Sequence, residues 1–198
     1  MNKVSWPKTR ERHRGRWCTA GIDLSAVDDL TCCAYMMPYD EDRNQVDILM
    51  HAWCPEAKLR DKKNKYRDQY IAWERQGWIH TTPGNGVDYE FVRAEILEDL
   101  RYFDVGLFGI DRQFDGVEFT MKLGDEIGHT EKHPKLITTT NGPQKIGPIC
   151  QEFERRLLEG KLNHGGNPVL RWMIDNVSVR YDPAGNARPD KAESQGKI

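Results

Sequence analysis

No apolar run in this sequence approaches the roughly 20 residues that a membrane-spanning helix needs, and no secretory signal opens it. A membrane protein and a secreted precursor are therefore not indicated. CxxC spacing is also missing. The five cysteines (Cys18, Cys32, Cys33, Cys54 and Cys150) are odd in number, and all but Cys150 lie in or beside apolar runs. That pattern indicates neither a zinc site nor a disulfide framework, and buried reduced thiols are the simplest account. No GxxxxGK[ST] loop occurs, so the chain carries no P-loop ATPase of its own, and it has no internal repeat. Net charge is only −2, which excludes a protein that holds polyanions through its overall charge. The most informative absence is local. From Cys18 to Asp42 there is no Lys or Arg, yet the stretch contains Asp23, Asp28 and Asp29.

What is present fits one soluble domain with room for a core: 198 residues, 38% hydrophobic and 30% charged. Residues 1–16 hold Lys3, Lys8, Arg10, Arg12, Arg14 and Arg16 against Glu11 alone, and read as a solvated basic linker outside the core. Residues 17–198 form the domain. Trp17–Ser25, Leu30–Pro38 and Val46–Trp53 read as three strands of an antiparallel meander. Glu56–Gln76 reads as a charged helix with Leu59, Tyr66, Tyr70 and Trp73 on one stripe. Its basic cluster, Lys58 to Arg67, suits either a solvated face or a DNA backbone contact. Trp78–Thr82 reads as a short strand, and Asp88 as the N-cap of a helix reaching about Phe103. Val105–Ile110 is a continuous apolar run, the pattern of a strand buried on both faces. Phe114–Leu123 and Pro148–Leu158 read as helices, the second with Pro148 at its first position, and Leu136–Thr140 and Val177–Tyr181 as strands. His129 and His133 are four apart, a metal-binding spacing on a helix, but Gly128 and Pro134 predict a loop.

Asp23 lies near the C-terminal tip of the first strand of the meander, and Asp111 directly follows the buried run. Ligands of open α/β sheets bind at such strand ends. A carboxylate there with no basic neighbour suits a hard cation such as Mg²⁺ or Mn²⁺. Turn and cap roles for Asp23, Asp28 and Asp29 fit the same spacing.

The order GIDLS…DDLT, WERQG, TTPG, GIDR, GKLNHGGNPVLRWMIDNV and DPAGN-x-RPDKAES resembles the C-terminal nuclease domain of the large terminase subunit of tailed bacteriophages and prophages. His164–Met173 (HGGNPVLRWM) is its most specific part. The resemblance implies an α/β, RNase H-like fold, a mixed five-stranded sheet flanked by helices. It also implies two Mg²⁺ or Mn²⁺ ions cleaving double-stranded DNA concatemers by metal-dependent hydrolysis. Asp23 and Asp111 match the two metal-binding catalytic carboxylates, and Asp29, six residues after Asp23 (29 − 23), an accessory acidic position ranked above Asp28. Lys191, Arg112 and His164 are candidate DNA contacts; Arg112 equally suits a pairing with Asp111. A further Asp is implied just past the lysine-and-serine stretch, where the chain ends at Ile198. Asp182 and Asp190 stand in polar turns and are poor substitutes. The resemblance further implies a terminase ATPase domain, a small terminase subunit and a portal protein as partners, no membrane, and work in the host bacterial cytoplasm. The alternative is a catalytically silent terminase fragment that binds DNA or the portal.

Overall fold

The computed structural model describes residues 10–25, 30–38, 44–111, 116–139, 143–183, 185–190 and 193–194. In β1 (Trp17–Asp23) and β2 (Thr31–Pro38) every second residue is buried, so one face of these strands lies in the core. β3 (Val46–Pro55) is buried on both. β1, β2 and β3 pair antiparallel in sequence, the meander expected. β5 (Asp104–Asp111) then adds parallel to the far side of β1, and β6 (Leu136–Thr139) parallel to β5. The resulting order β3-β2-β1-β5-β6 is the mixed five-stranded RNase H-like sheet. Short β4 (His80–Thr82) and β7 (Leu162–Asn163) both pair with β3 and extend its outer edge.

Helices close both faces. α3 (Tyr89–Asp99) and α4 (Gly116–Ile127) cover one face, where Val92, Ile96, Phe119 and Leu123 meet Ile22, Tyr35, Phe108 and Ile110. Each fully buried side chain of this size contributes about 1.5–3 kcal/mol. The β2–β3 half of the other face is covered by α1 (Glu56–Arg60), α2 (Arg67–Arg75) and α6 (Pro168–Asn176). Leu59, Tyr70 and Trp73 lie there beside Val169 and Met173. The stripe read from sequence is thus correct, but the helix carrying it is broken. Asp61 accepts from the Lys63 amide at 2.8 Å and Asn64 from the Tyr66 amide at 3.0 Å, local turns that compete with helix. Gly77, at φ 76°, ends α2; its amide reaches Glu74 O and the next amide reaches Trp73 O.

α5 (Pro143–Leu158) starts five residues before the predicted helix, with Pro143 taking the first position and Pro148 inside. It packs against β9 (Ala187–Pro189), the antiparallel partner of β8 (Val179–Tyr181). Within the described residues no helix is long and apolar enough to cross a membrane.

The described part of the basic arm is docked, contrary to the solvated linker expected. His13 is fully buried with Nε2 2.6 Å from Asp47 Oδ2 on β3. Arg10 donates to Asp99, and the Arg10 and Arg14 guanidiniums lie over the Tyr102 ring. One buried histidine and the single ring of Tyr102 seat it, a signal that charge counting hides.

Candidate active site

The centre of the sheet is the parallel pair β1–β5. Trp17 and Cys18 lie opposite Asp104 and Val105, whereas Thr19 to Ile22 lie opposite Leu107 to Ile110. Gly106 is the extra residue between the two registers, a bulge. Glycine suits the position, because a Cβ there would run into Nε1 of Trp17 and the indole would have to shift. The bulge has a consequence for the site. It advances β5 by one residue, so that the next residues along, Asp23 and Asp111, end their strands level with each other. Without it Asp23 would lie level with Ile110.

The tip of β1 is fixed by its neighbours. Thr31, buried in the first turn of β2, accepts from the Ser25 amide at 3.1 Å, and the Tyr89 hydroxyl donates to Ser25 O at 3.0 Å. Tyr89 opens α3, whose N-cap Asp88 accepts from the Phe91 amide at 3.0 Å. Asp23 itself is half-buried. Two acidic positions, brought from strands far apart in sequence, thus end level at the carboxyl end of a parallel pair, the place where ligands of open α/β sheets bind.

The other candidate residues fall elsewhere. Asp28, Asp29, Arg112 and Lys191 lie outside the described residues. His164 follows β7, which pairs with the beginning of β3 at Val46 and Asp47, whereas Asp23 is level with Ala52 across β2. Five residues of strand, roughly 17 Å, therefore separate His164 from the Asp23 end. It does not join the carboxylates. Burial and the nearby Arg171 hold the His164 imidazole below its usual pKa. The HGGNPVLRWM segment acts in packing instead. Asn167 caps α6 by accepting from the Val169 and Leu170 amides at 2.9 and 3.1 Å, and Trp172 meets Tyr66, Tyr70 and Trp73 edge-on. Asp182 is occupied within its hairpin by Asn186, and Asp190 lies 3.7 Å from Arg180. His129 Nδ1 accepts from the Lys135 and Leu136 amides in a loop, as predicted. In the α1–α2 basic cluster, Arg60 pairs with Glu74 and Glu56, and Arg67 with Asp68. The cysteines are free thiols; burial pushes Cys18 up to about 12 and Cys33 higher still, which makes both poor nucleophiles.

Sequence reading missed a second polar cluster, on the α3 face of β3. His51 Nε2 lies 2.8 Å from Asp99 Oδ2, and His80 Nδ1 3.1 Å from Glu95 Oε1. The Trp53 indole N–H donates to the other Glu95 oxygen. Burial holds the His51 imidazole below its usual pKa, against the pull of Asp99. Burial alone would raise the Glu95 carboxyl, but His80 and Trp53 together hold it below the usual carboxylate range. No short motif joins positions 51, 80 and 95; the pairing of β4 with β3 and the packing of α3 on the sheet bring them together.

The chain matches the family described as terminase large subunit, endonuclease domain, over residues 3–198. It is 35% identical over 179 residues to the terminase large subunit of Enterobacteria phage HK97, covering 90% of this chain and 34% of that protein. It is 25% identical over 212 residues to protein YmfN of Escherichia coli strain K12, covering all of this chain and 45% of that one. The crystal structure of the HK97 large terminase superposes with a TM-score of 0.80 at 32% identity, over 100% of this chain and 41% of that chain. The chain thus spans between a third and a half of the length of these relatives.

Proposed function

The chain belongs to the family of terminase large subunit endonuclease domains, and from that premise we propose that it cleaves double-stranded DNA by metal-dependent phosphodiester hydrolysis during phage DNA packaging. The observation that carries this reading is the level ending of β1 and β5 at Asp23 and Asp111. Carboxylate oxygens are the donors that Mg²⁺ and Mn²⁺ take, and two strands fixed at their tips suit a rigid cation site. Asp23 and Asp111 would hold two such ions, with Asp29 as accessory ligand. Bound there, the pair supplies an activated water and a stabilised leaving 3′ oxygen. The chain's own part is positional: the Gly106 bulge sets the level of the two aspartates, and Thr31 and Tyr89 hold the β1 tip. Arg112 and Lys191 are assigned to the DNA backbone, where contacts carry no base information, so cutting shows little sequence preference. The substrate is the packaged concatemer. The ATPase domain, small subunit and portal are the partners, met in the host cytoplasm.

Incubation of supercoiled plasmid with this chain and Mn²⁺ tests the reading. Nicking followed by linearisation is expected, and Asp23→Ala should lower the rate at least about 100-fold, the scale of losing a ligand-level interaction. Equal rates for the two proteins would remove Asp23 from the site. No cutting by the parent chain would leave DNA or portal binding as its role.

A further inference from the structure

We propose that His51, His80 and Glu95 form a second metal site, for a divalent transition ion of the Zn²⁺ class. One ligand atom from each residue lies within 4.8 Å of the other two. A tetrahedral Zn²⁺ with bonds of about 2.0–2.2 Å holds its ligand atoms roughly 3.4 Å apart, so closing the site takes shifts of about 1 Å. The residues that must shift are the more accessible ones, since the His80 and Glu95 side chains are each 28% exposed whereas His51 is 2% exposed. The anchored ligand thus lies inside and the adjustable ones at the rim, which also provides an entry path.

The surroundings already orient the ligands. Asp99 fixes the His51 ring through Nε2 and is itself fixed by Arg10, a carboxylate–imidazole arrangement typical around metal-bound histidines. Trp53 holds one Glu95 oxygen through its indole N–H, and its ring stacks on His51 at 5.2 Å. The His51 and His80 rings stand nearly perpendicular at 5.2 Å. A donor set of two imidazole nitrogens and one carboxylate selects a borderline ion over Mg²⁺, which favours oxygen alone.

This site is separate from the proposed nuclease centre. Asp23 alternates with Ile22 and Leu24, which face α3, so it belongs to the opposite face of the sheet from His51. Two strand spacings, roughly 10 Å, also lie between β1 and β3. A bound ion would join β3, β4 and α3, giving a structural rather than a hydrolytic centre.

The test is a titration of the Asp23→Asn chain with Zn²⁺ in competition with a chromogenic chelator, repeated with Co²⁺ read by its visible absorption. One equivalent is expected to bind, with Mg²⁺ failing to displace it. His80→Ala and Glu95→Gln should each raise the Zn²⁺ Kd at least about 100-fold, because loss of an orienting partner alone costs 10–100-fold. Both positions are partly exposed, and Glu95→Gln keeps an acceptor for Trp53; metal-free thermal melts of the two variants check that they fold. A parent chain that binds no stoichiometric Zn²⁺ overturns the proposal. So do variants that bind within about threefold of the parent, since the three residues would then be only a hydrogen-bonded cluster.

Discussion

Replacing His13 by alanine deletes the only fully buried imidazole of the basic arm together with its 2.6 Å contact to Asp47. Asp47 is itself 3% exposed, so the lost partner leaves a largely buried carboxylate, with the Arg12 guanidinium 3.9 Å away. It keeps a 2.8 Å hydrogen bond from Asn163 Nδ2, which limits the damage. A hydrogen bond to a charged group contributes about 1.5–3 kcal/mol, and the lost packing of the ring adds about 1 kcal/mol. The expected cost is therefore about 3 kcal/mol. With a urea m-value of roughly 2–3 kcal/mol/M, the unfolding midpoint should fall by about 1–1.5 M. Equilibrium unfolding followed by tryptophan fluorescence measures it. A double-mutant cycle with Asp47→Asn isolates the pair, and a coupling of about 1–2 kcal/mol is expected. A midpoint shift under about 0.3 M, or additive costs in the cycle, would mean that residues 10–16 do not hold the docked position and that the solvated arm inferred from charge is correct.

Two further outcomes follow from the same packing. Gly106→Ala forces the Trp17 indole off the bulge, an overpacking cost of about 2 kcal/mol, and a scanning calorimeter should record a Tm lower by roughly 6 °C. An unchanged Tm would show that Trp17 does not cover Gly106. Stability in EDTA should be level above about pH 6.5 and decline below it, since the folded protein keeps His51 and His164 neutral through burial while the unfolded chain protonates them. Urea midpoints equal at pH 7.5 and 5.5 would refute that linkage.

Local rules made the central elements legible. The meander showed in its apolar runs, α3 in its Asp88 cap, and β5 in an unbroken apolar stretch ending at Asp111. The strand-end placement of Asp23 and Asp111 followed from those same boundaries. Other features depended on competition or distance. The break between α1 and α2 lies in the Asp61 and Asn64 side chains, which favour turns only slightly over the helical stripe around them. Pro148 looks like a helix start because Pro143, the true one, stands in a polar stretch. β7 and β9 are two and three residues long, too short for any periodicity, and exist because β3 and β8 offer edges. The bulge at Gly106 is invisible in one strand alone, since it is a relation between two. A packing role for Trp172 fits its sequence context, but its aromatic partners were hidden for a similar reason: Tyr66, Tyr70 and Trp73 stand about 100 residues earlier.

The parallel pairing of β1 with β5 also bears on the order in which the proposed site is put together. Asp23 and Asp111 are 88 residues apart in sequence (111 − 23), and everything from β2 to α3 lies between them. Closing so long a loop is entropically unfavourable until the intervening elements have packed. The meander pairs strands that are consecutive in sequence and carries one aspartate; only the last crossover, through α3 into β5, delivers the other. A nascent or partly unfolded chain therefore lacks the strand-end pair on which the proposed cation site rests, and that pair exists only once the sheet has closed across its middle.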